Sequence, residues 1–336
     1  QLDASGYGNT TAVAVDNGST DACGLLPQCP PHGPMVVCLS GLSLSQTNFT
    51  CDNVGQNTVV LTVTDNHYNS STCTAIVTVV DNVAPEALCQ NVTVQLDATG
   101  HATTTATAVD NGSNDACGIA GLALSQTSFI CSEVGSNSVT LTVTDVNNNS
   151  STCTATVTVE DNVAPVAVCQ NVTVQLDNTG NGSTTATAVD NGSSDACGVA
   201  SLALSQTAFV CSEVGANTEV LTVTDVNGNT STCTTTIIVE DNVAPVAVCQ
   251  NVTVQLDNTG NGSTTAAAVN NGSSDACGIA SLALSQTAFV CSEVGANTEV
   301  LTVTDVNGNT STCTTTITVE DNVAPVAVCQ NVTVQL

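Results

Sequence analysis

The residues of this chain that could do chemistry are its 18 cysteines and 29 acidic residues, in a sequence of 336 residues without one Lys or Arg. No Cys-x-x-Cys occurs, and the three histidines are scattered at His32, His67 and His101. This pattern gives no support to a zinc or redox site. The sequence also contains no phosphate loop and no set of nucleophile, base and acid, so we predict that the protein is not an enzyme. The chemistry that remains is disulfide formation and the binding of hard cations.

The formal net charge is −29. A nucleic-acid partner is excluded, because binding to phosphates depends on Lys and Arg. Attraction to an anionic membrane surface is excluded for the same reason. The acidic side chains have no basic partner, so they are either solvated or bound to inorganic cations.

The sequence repeats with a period of 80 residues, and residues 163–242 and 243–322 differ at only four positions. Self-similarity at a fixed period predicts a tandem array, whereas a catalytic domain needs one unique pocket. We predict modules at 1–81, 82–161, 162–241 and 242–321, followed by a strand at 322–336. The first module lacks its first strand and carries an insert of 14 residues near 25–39.

Short stretches in which Thr and Val alternate, separated by turns, predict an all-β fold. In residues 163–242 we expect strands at Val166–Leu176, Thr184–Val189, Val199–Ser205 and Thr207–Cys211, followed by a long hairpin closed by Asp225–Asn229. The Asn-Gly in that turn is a strong hairpin signal. Each module is therefore predicted to be an antiparallel β-sandwich, and the modules to form an extended rod or filament.

Several motifs recur in each module: Pro-x-x-x-Cys-Gln-Asn-Val-Thr-Val, Asp-x-x-Cys-Gly, Leu-Thr-Val-Thr-Asp-x-Asn-Gly-Asn and Ser-Thr-Cys-Thr. They resemble the hyalin-repeat (HYR) family of immunoglobulin-like modules. In particular they are similar to tandem arrays in surface adhesins of Bacteroidetes, including gliding-motility adhesins. The resemblance implies immunoglobulin-like sandwiches with an extracellular, filamentous role in structure or adhesion.

The four cysteines of a module allow three connectivities. The alternation places Cys233 on the inner face with Thr235 and Ile237, and Cys211 shares a face with Phe209, which predicts a core bridge. Cys169 has the opposite parity to the rest of its strand and is expected to bond the loop at Cys197. The predicted pairs are Cys51–Cys73, Cys131–Cys153, Cys211–Cys233 and Cys291–Cys313 in the core, and Cys89–Cys117, Cys169–Cys197 and Cys249–Cys277 at the loop.

The remaining cysteines lie in the insert and at the ends of the chain. We predict a Cys29–Cys38 bridge that closes the insert. Two interpretations of residues 322–336 stay open. The sequence is a window from a longer array, or this strand completes the first module of another chain and links Cys329 to Cys23.

Acidic residues of the loops and linkers are expected to meet at one end of each module. Without basic residues, such a cluster suits calcium, which prefers oxygen ligands. The linker Asp-Asn-Val-Ala-Pro is also similar to the calcium-binding linker of cadherins. The candidate ligands are Asp81, Asp110, Asp115, Asp145, Glu160, Asp161, Asp190, Asp195, Asp225, Glu240, Asp241, Asp275 and Asp305. The alternative is that these residues only form turns.

We therefore expect a segment of an extracellular, cell-surface fibre with a structural or adhesive role. Its partners would be further copies of itself and extracellular surfaces or glycans. The alternative is a ligand-binding adhesin module, glycan-dependent or calcium-dependent, that acts through the insert at 25–39.

Overall fold

The structure is a computed structural model that describes residues 1–22, 25 and 41–335. The predicted Cys29–Cys38 bridge, Cys23 and most of the insert lie outside the described residues. The chain divides into two compact units, Gln1–Val163 and Ala164–Leu336. We refer to residues 1–81, 82–161, 162–241 and 242–321 as repeats 1 to 4.

Each repeat has the same order of short elements. Repeat 1 contains β1 (Tyr7–Asn9), α1 (Ala12–Val15), β2 (Leu42–Leu44), β3 (Asn48–Thr50), the 3-10 turn Cys51–Asn53, β4 (Gly55–Thr64) and β5 (Ser70–Val79). Repeat 2 contains β6 (Val92–Gln95), β7 (His101–Thr103), α2 (Ala106–Val109), β8 (Ile119–Leu124), β9 (Ser128–Ile130), the 3-10 turn Cys131–Glu133, β10 (Gly135–Asp145) and β11 (Ser150–Glu160).

Repeats 3 and 4 follow the pattern of repeat 2. Repeat 3 contains β12 (Val172–Gln175), β13 (Asn181–Ser183), α3 (Ala186–Val189), β14 (Val199–Leu204), β15 (Ala208–Val210), the 3-10 turn Cys211–Glu213, β16 (Gly215–Asp225) and β17 (Thr230–Glu240). Repeat 4 contains β18 (Val252–Gln255), β19 (Asn261–Ser263), α4 (Ala266–Val269), β20 (Ile279–Leu284), β21 (Ala288–Val290), the 3-10 turn Cys291–Glu293, β22 (Gly295–Asp305) and β23 (Thr310–Glu320).

Two sheets form each repeat. In repeat 3 the larger sheet has the order β12-β17-β16-β14, and the smaller sheet pairs β13 with β15. The long strands β16 and β17 form an antiparallel hairpin in which Leu221 lies opposite Cys233. The first strand β12 lies parallel to β17, with Val172 opposite Ile237.

The core lies between the two sheets. In repeat 3, Phe209 of the smaller sheet packs in one cluster with Leu221, Val223, Ile237 and Val239 of the larger sheet. Alternate residues of the long strands point into this cluster because successive side chains of a strand face opposite sides. The predicted all-β, disulfide-bonded fold of repeated sandwiches is confirmed.

Two details differ from the sequence prediction. Thr184–Val189 is not a strand: Thr185 caps the one-turn helix α3, its hydroxyl accepting from the amide of Ala188 at 3.2 Å. A Thr side chain at this position offers the backbone a helix cap that competes with strand pairing. The sandwich is also not purely antiparallel, because the first strand of repeats 2, 3 and 4 pairs in parallel with the last.

The predicted hairpin turn at Asp225–Asn229 is confirmed. Asp225 accepts from the amides of Asn227 and Asn229 at 2.8 Å each, and Gly228 has a φ of +94°. That left-handed conformation suits glycine, which has no Cβ to clash. Among the described residues no helix is long and apolar enough to cross a membrane.

Candidate functional site: the junctions between repeats

One class of disulfide joins the segment just before the first strand to the last strand of the same repeat. Cys169–Cys233 and Cys249–Cys313 each span 64 residues, with Cα atoms 5.9 Å apart. Cys89–Cys153 has the same separation in repeat 2. The parallel pairing of β12 with β17 brings the two cysteines of repeat 3 together, since each lies a few residues before the paired stretch. These bonds close each sandwich on itself.

A second class joins consecutive repeats. Cys51–Cys117 and Cys211–Cys277 each span 66 residues, with Cα atoms 5.1 Å apart. Cys211 begins the 3-10 turn after β15, at the end of the sandwich. Its partner lies in the Asp275–Gly278 loop of repeat 4, where the carboxylate of Asp275 accepts from the amide of Cys277 at 2.8 Å. Repeat 3 is therefore bonded covalently to repeat 4 outside the linker.

Glycines make room for these bonds. Gly180, in the turn before β13, has a φ of +76°, and a Cβ built on it would lie 2.5 Å from Sγ of Cys211 and 3.3 Å from Cβ of Ala276. Gly6 stands in the same relation to Cys51 and Ala116, at 2.8 Å and 3.2 Å. Each of these positions therefore requires glycine for two reasons: the turn needs a left-handed backbone, and the junction has no room for a side chain.

The predicted pairings within each repeat are wrong wherever these bonds are described. The corrected pairs replace Cys51–Cys73, Cys89–Cys117, Cys131–Cys153, Cys169–Cys197, Cys211–Cys233, Cys249–Cys277 and Cys291–Cys313. Parity placed Cys233 on the correct face. The prediction paired cysteines only within a repeat and placed the first-strand cysteine beside the Cys197 loop, whereas the first strand pairs with the last strand. Cys131 and Cys197 are also disulfide-bonded.

Three cysteines of the described residues carry free, exposed thiols: Cys73, Cys291 and Cys329. The predicted Cys23–Cys329 bond between chains involves Cys23, which lies outside the described residues.

Two of the predicted calcium ligands meet at the junction between repeats 1 and 2. Carboxylate oxygens of Asp81 and Asp115 and the sulfur of Cys117 lie within 4.8 Å of one another. Asp81 is only 7% exposed. One of its oxygens accepts from the amide of Val83 at 3.1 Å, and the other, Oδ2, is buried without a hydrogen-bond donor. Cys117 is in a disulfide and offers no thiolate, so the two carboxylates are the charged ligands here.

The junction between repeats 3 and 4 has the same arrangement. Asp241 and Asp275 stand in the positions of Asp81 and Asp115, beside Cys277. Asp241 is 6% exposed, accepts from the amide of Val243 at 3.0 Å, and has a buried Oδ2 without a donor. A buried carboxylate oxygen without a donor costs free energy unless a cation compensates it.

The predicted calcium ligands in the hairpin turns accept hydrogen bonds from their own turns instead. The carboxylates of Asp145, Asp225 and Asp305 are almost fully buried, and each accepts two backbone amides and an Asn side-chain amide of its own turn. These three residues form turns, as the alternative interpretation predicts. The same turn holds the linker, because the side-chain amide of Asn149 donates to the backbone oxygen of Asp81 at 3.1 Å.

Asp110 and Asp190 cap the loop that follows the short helix. Asp190 accepts from the amide of Ser193 at 3.0 Å. The hydrogen bond from the Ser193 side chain holds the pKa of Asp190 below its ordinary value, against a smaller effect of burial, and Ser113 lowers the pKa of Asp110 in the same way.

The other predicted ligands also have local partners. Glu160 and Glu240 accept from the side-chain amides of Gln95 and Gln175 at 2.6 Å and 2.7 Å, across the parallel strand pair. Asp161 accepts from the amide of Val163 at 3.1 Å, and Asp195 from the amide of Cys197 at 2.7 Å.

Sequence reasoning missed the glycines beside the cysteines and the Asn amides that hold the linker. Both follow motifs visible in the sequence: Gly180 closes an Asp-Asn-Thr-Gly turn, and Asn309 ends an Asp-Val-Asn-Gly-Asn hairpin and donates to the backbone oxygen of Asp241 at 2.9 Å. The disulfides themselves are those of an extracellular or secreted protein.

No protein-family model matches the chain, and no curated protein matches it. Among solved structures it is similar to protocadherin gamma B7 extracellular cadherin domains 1-4, at 12% identity and a TM-score of 0.30, over 80% of this chain and 84% of that one. It is also similar to the protocadherin gammaB7 EC3-6 cis-dimer structure, at 14% identity and a TM-score of 0.29, over 94% of each chain. Mouse cadherin-23 EC22-24 gives 12% identity and a TM-score of 0.31, over 72% of this chain and 100% of that one.

Proposed function

We propose that the chain is a load-bearing segment of an extracellular stalk or adhesive fibre and has no catalytic role. The observation that carries this proposal is the bond between the first and last strands of a repeat, as in Cys169–Cys233 and Cys249–Cys313. Tension along the chain crosses a repeat through this bond. The 64 residues between the two cysteines are then outside the path of the load.

The covalent path between repeats 3 and 4 is short. Cys233 and Cys249 are only 16 residues apart along the chain. Beside this linker, the Cys211–Cys277 bond holds the two repeats together while they stay folded. A segment built in this way resists extension even when a sandwich unfolds.

Single-molecule stretching of the oxidised and reduced chain tests the proposal. A stretched residue spans about 3.4 Å, so a bond that closes 64 residues withholds roughly 220 Å of chain. We expect unfolding of an oxidised repeat to release only linker-sized lengths of about 55 Å, the span of 16 residues. Reduction adds the withheld length to each step. Full-length steps from the oxidised chain would contradict the proposal.

The more specific form of this proposal is a cell-surface adhesin of the hyalin-repeat type, supported by the motifs shared with that family. The insert of repeat 1 is the part of the sequence that does not repeat, and it is where binding of a glycan or another surface ligand is proposed. Its residues other than Leu25 lie outside the described residues.

A second candidate function is calcium binding at the junctions, favoured by the buried Oδ2 atoms of Asp81 and Asp241. Each lies beside a second carboxylate, Asp115 or Asp275, in a chain without Lys or Arg. Two carboxylates with water completing the shell form an oxygen site of the kind calcium takes. A bound ion would compensate both charges and hold the linker to the next repeat.

Calorimetric melting in chelator and in millimolar calcium tests the site. A ligand that binds only the folded state raises the melting temperature, so we expect a calcium-dependent rise. The double variant Asp81→Asn, Asp241→Asn should lose that rise. The control is Asp97→Asn, Asp257→Asn, which removes the same charge from exposed turns and should keep it. An equal response of both variants would show general screening and contradict the site.

A further inference from the structure

The disulfide between repeats 1 and 2 has oxygen atoms as close neighbours on both of its sulfurs. Carboxylate oxygens of Asp81 and Asp115 lie within 4.8 Å of the Cys117 sulfur. At the other end of the bond, the backbone oxygen of Gly6 lies 3.9 Å from Sγ of Cys51. The bond is therefore surrounded by atoms that carry full or partial negative charge.

Hydrogen bonds hold the two carboxylates in place. Asp115 accepts from the amide of Cys117 at 2.7 Å and from the amide of Gly118 at 3.2 Å. Asp81 is 7% exposed and accepts from the amide of Val83 at 3.1 Å, while its buried Oδ2 has no hydrogen-bond donor. The chain has no Lys or Arg that could pair with either carboxylate. Negative charge is thus fixed beside this bond.

The junction between repeats 3 and 4 has the same arrangement. Carboxylate oxygens of Asp241 and Asp275 lie within 4.8 Å of the Cys277 sulfur. The backbone oxygen of Gly180 lies 3.7 Å from Sγ of Cys211. The charge beside the bond is therefore a property of the repeat and not of one junction.

The bond within repeat 2 offers a comparison in the same chain. Cys89 and Cys153 are half-buried, as are Cys51 and Cys117, so exposure does not distinguish the two bonds. Among the described residues, no two carboxylates form a group of this kind with Cys89 or Cys153. The two bonds therefore differ in the carboxylate pair beside them.

Reduction of a disulfide by a thiol places negative charge on its sulfurs. A thiolate attacks one sulfur, the S–S bond breaks, and the other sulfur leaves as a thiolate. Attack on Cys117 brings the charge of the reagent beside the two carboxylates. Attack on Cys51 makes Cys117 the leaving thiolate, so the negative charge develops in the same place.

A second thiolate of the reagent then attacks the mixed disulfide and releases the remaining protein sulfur. The two reagent thiols lose two electrons and two protons and become one disulfide. The two protein sulfurs take up these electrons and protons and become two thiols. The first attack decides how fast a small thiol opens the junction bond, and this attack is the step that the carboxylates oppose.

We propose that the carboxylate pairs of Asp81 with Asp115 and of Asp241 with Asp275 protect the disulfides between repeats from reduction by anionic thiols. Like charges repel at this distance, and the Debye length of roughly 8 Å at physiological salt exceeds the 4.8 Å between the groups. A reagent with a second negative group is repelled more, and one with an ammonium group less. This inference goes beyond the stalk proposal, because it concerns how long the junction bonds persist.

The test follows the reduction of Cys51–Cys117 and Cys89–Cys153 in the same chain, with its free thiols blocked. Three small thiols that differ in charge are used: 2-mercaptoethanesulfonate, 2-mercaptoethanol and cysteamine. Alkylation and mass spectrometry give the rate for each bond. Dividing the rate of the junction bond by that of the bond within repeat 2 removes the reactivity of the thiol and the general effect of the net charge of −29.

We expect this relative rate to rise about tenfold from the sulfonate thiol to cysteamine, with 2-mercaptoethanol between them. The double variant Asp81→Asn, Asp115→Asn keeps the hydrogen-bond acceptors and removes both charges. Its relative rates with the three thiols should agree within about twofold. The control Asp97→Asn, Asp257→Asn removes the same charge from exposed turns and should behave as the wild type does.

The three thiols also separate charge from loosening of the junction. A junction that merely opens in the double variant reacts faster with all three thiols alike, and a dependence on thiol charge as large as that of the wild type would overturn the proposal. Wild-type relative rates that do not depend on thiol charge would overturn it, as would an equal loss of the dependence in the control. All rates are measured in chelator, so neither the calcium site nor the stretching experiment decides the result.

Discussion

Cys211 of repeat 3 is bonded to Cys277 of repeat 4, and Gly180 lies so close to this bond that a methyl group there would come within 2.5 Å of the Cys211 sulfur. The bond therefore depends on a residue that is distant from both cysteines in the sequence. It also joins two sandwiches that each close on a separate disulfide.

Gly180→Ala should destabilise the junction. The new Cβ must displace the Cys211 sulfur, and the left-handed backbone at +76° costs a further 1–2 kcal/mol or so. Gly228→Ala is the matched control, since Gly228 has a φ of +94° but nothing within 4 Å of its Cβ. We expect a lower fraction of the Cys211–Cys277 bond in the first variant only, measured by mass spectrometry after refolding. Equal fractions would show that the close approach has no effect.

Removing the Cys169–Cys233 bond of repeat 3 should lower the stability more than the backbone strain of Gly180→Ala does. Cys169–Cys233 closes 64 residues, for which chain entropy gives about 4 kcal/mol. The double variant Cys169→Ala, Cys233→Ala should therefore lose a large part of the stability of that sandwich in urea unfolding. A loss below about 1 kcal/mol would mean that other disulfides, such as Cys211–Cys277, already restrain the unfolded chain.

Phe209 is the large side chain that connects the two sheets of repeat 3, and it is 1% exposed. Phe209→Ala should destabilise by about 3–5 kcal/mol, the usual cost of an aromatic deletion in a core. Val226→Ala is the control, because Val226 is 58% exposed in the hairpin turn. Thermal unfolding of both variants measures the difference. A similar melting temperature for the two would contradict the assigned core.

Asp190 of repeat 3 and Asn270 of repeat 4 occupy equivalent positions, so comparing the two residue types isolates the pH dependence of the Asp190 cap. Asn270 occupies in repeat 4 the place of Asp190 and accepts from Ser273 at 3.0 Å, so Asp190→Asn should keep the fold. The hydrogen bond from Ser193 lowers the pKa of Asp190 below its ordinary value of 3.8. The resulting stability is complete above that value and is lost as the pH falls through the lower pKa of the folded state.

We therefore expect wild type to gain a small stability advantage over Asp190→Asn at neutral pH, and this advantage to disappear in strong acid. Melting temperatures of both proteins between pH 7 and about pH 2 measure it. A difference that grows on acidification would reverse the assigned sign.

The local pattern of the sequence predicts much of the fold. Alternation identifies the long strands, and Asn-Gly identifies the hairpin that Asp225 caps. The short helix at Ala186–Val189 cannot be recognised from the sequence. A segment of Thr and Ala can form a strand or a helix, and here the cap by Thr185 decides for the helix.

Contacts between distant strands could not be predicted in the same way. Parity gives the face of Cys233 but not its neighbour, and the neighbour depends on whether the first strand runs parallel to the last. The segment before β12 makes only isolated bridges at Val166 and Cys169, so regular alternation fails there. Bonds between repeats cannot be predicted when each repeat is treated as a unit that pairs only its own cysteines.

For the acidic residues too, local contacts can be predicted from the sequence and contacts between distant segments cannot. The five-residue turn from Asp145 to Asn149 satisfies its own carboxylate, which its local sequence could have indicated. The meeting of Asp81 with Asp115 needs the path of the linker over the next repeat, and no local pattern contains that path.

Disulfide mapping of the unreduced chain shows whether repeat 1 is bonded to repeat 2. Repeats 1 and 2 suit it best, because the sequences around Cys51 and Cys117 differ from those of the later repeats. A protease that cuts at acidic residues suits the chain, because it has 29 Asp and Glu and no Lys or Arg. We expect a peptide that links Cys51 to Cys117 and another that links Cys89 to Cys153. Peptides that link Cys51 to Cys73 and Cys131 to Cys153 would contradict it.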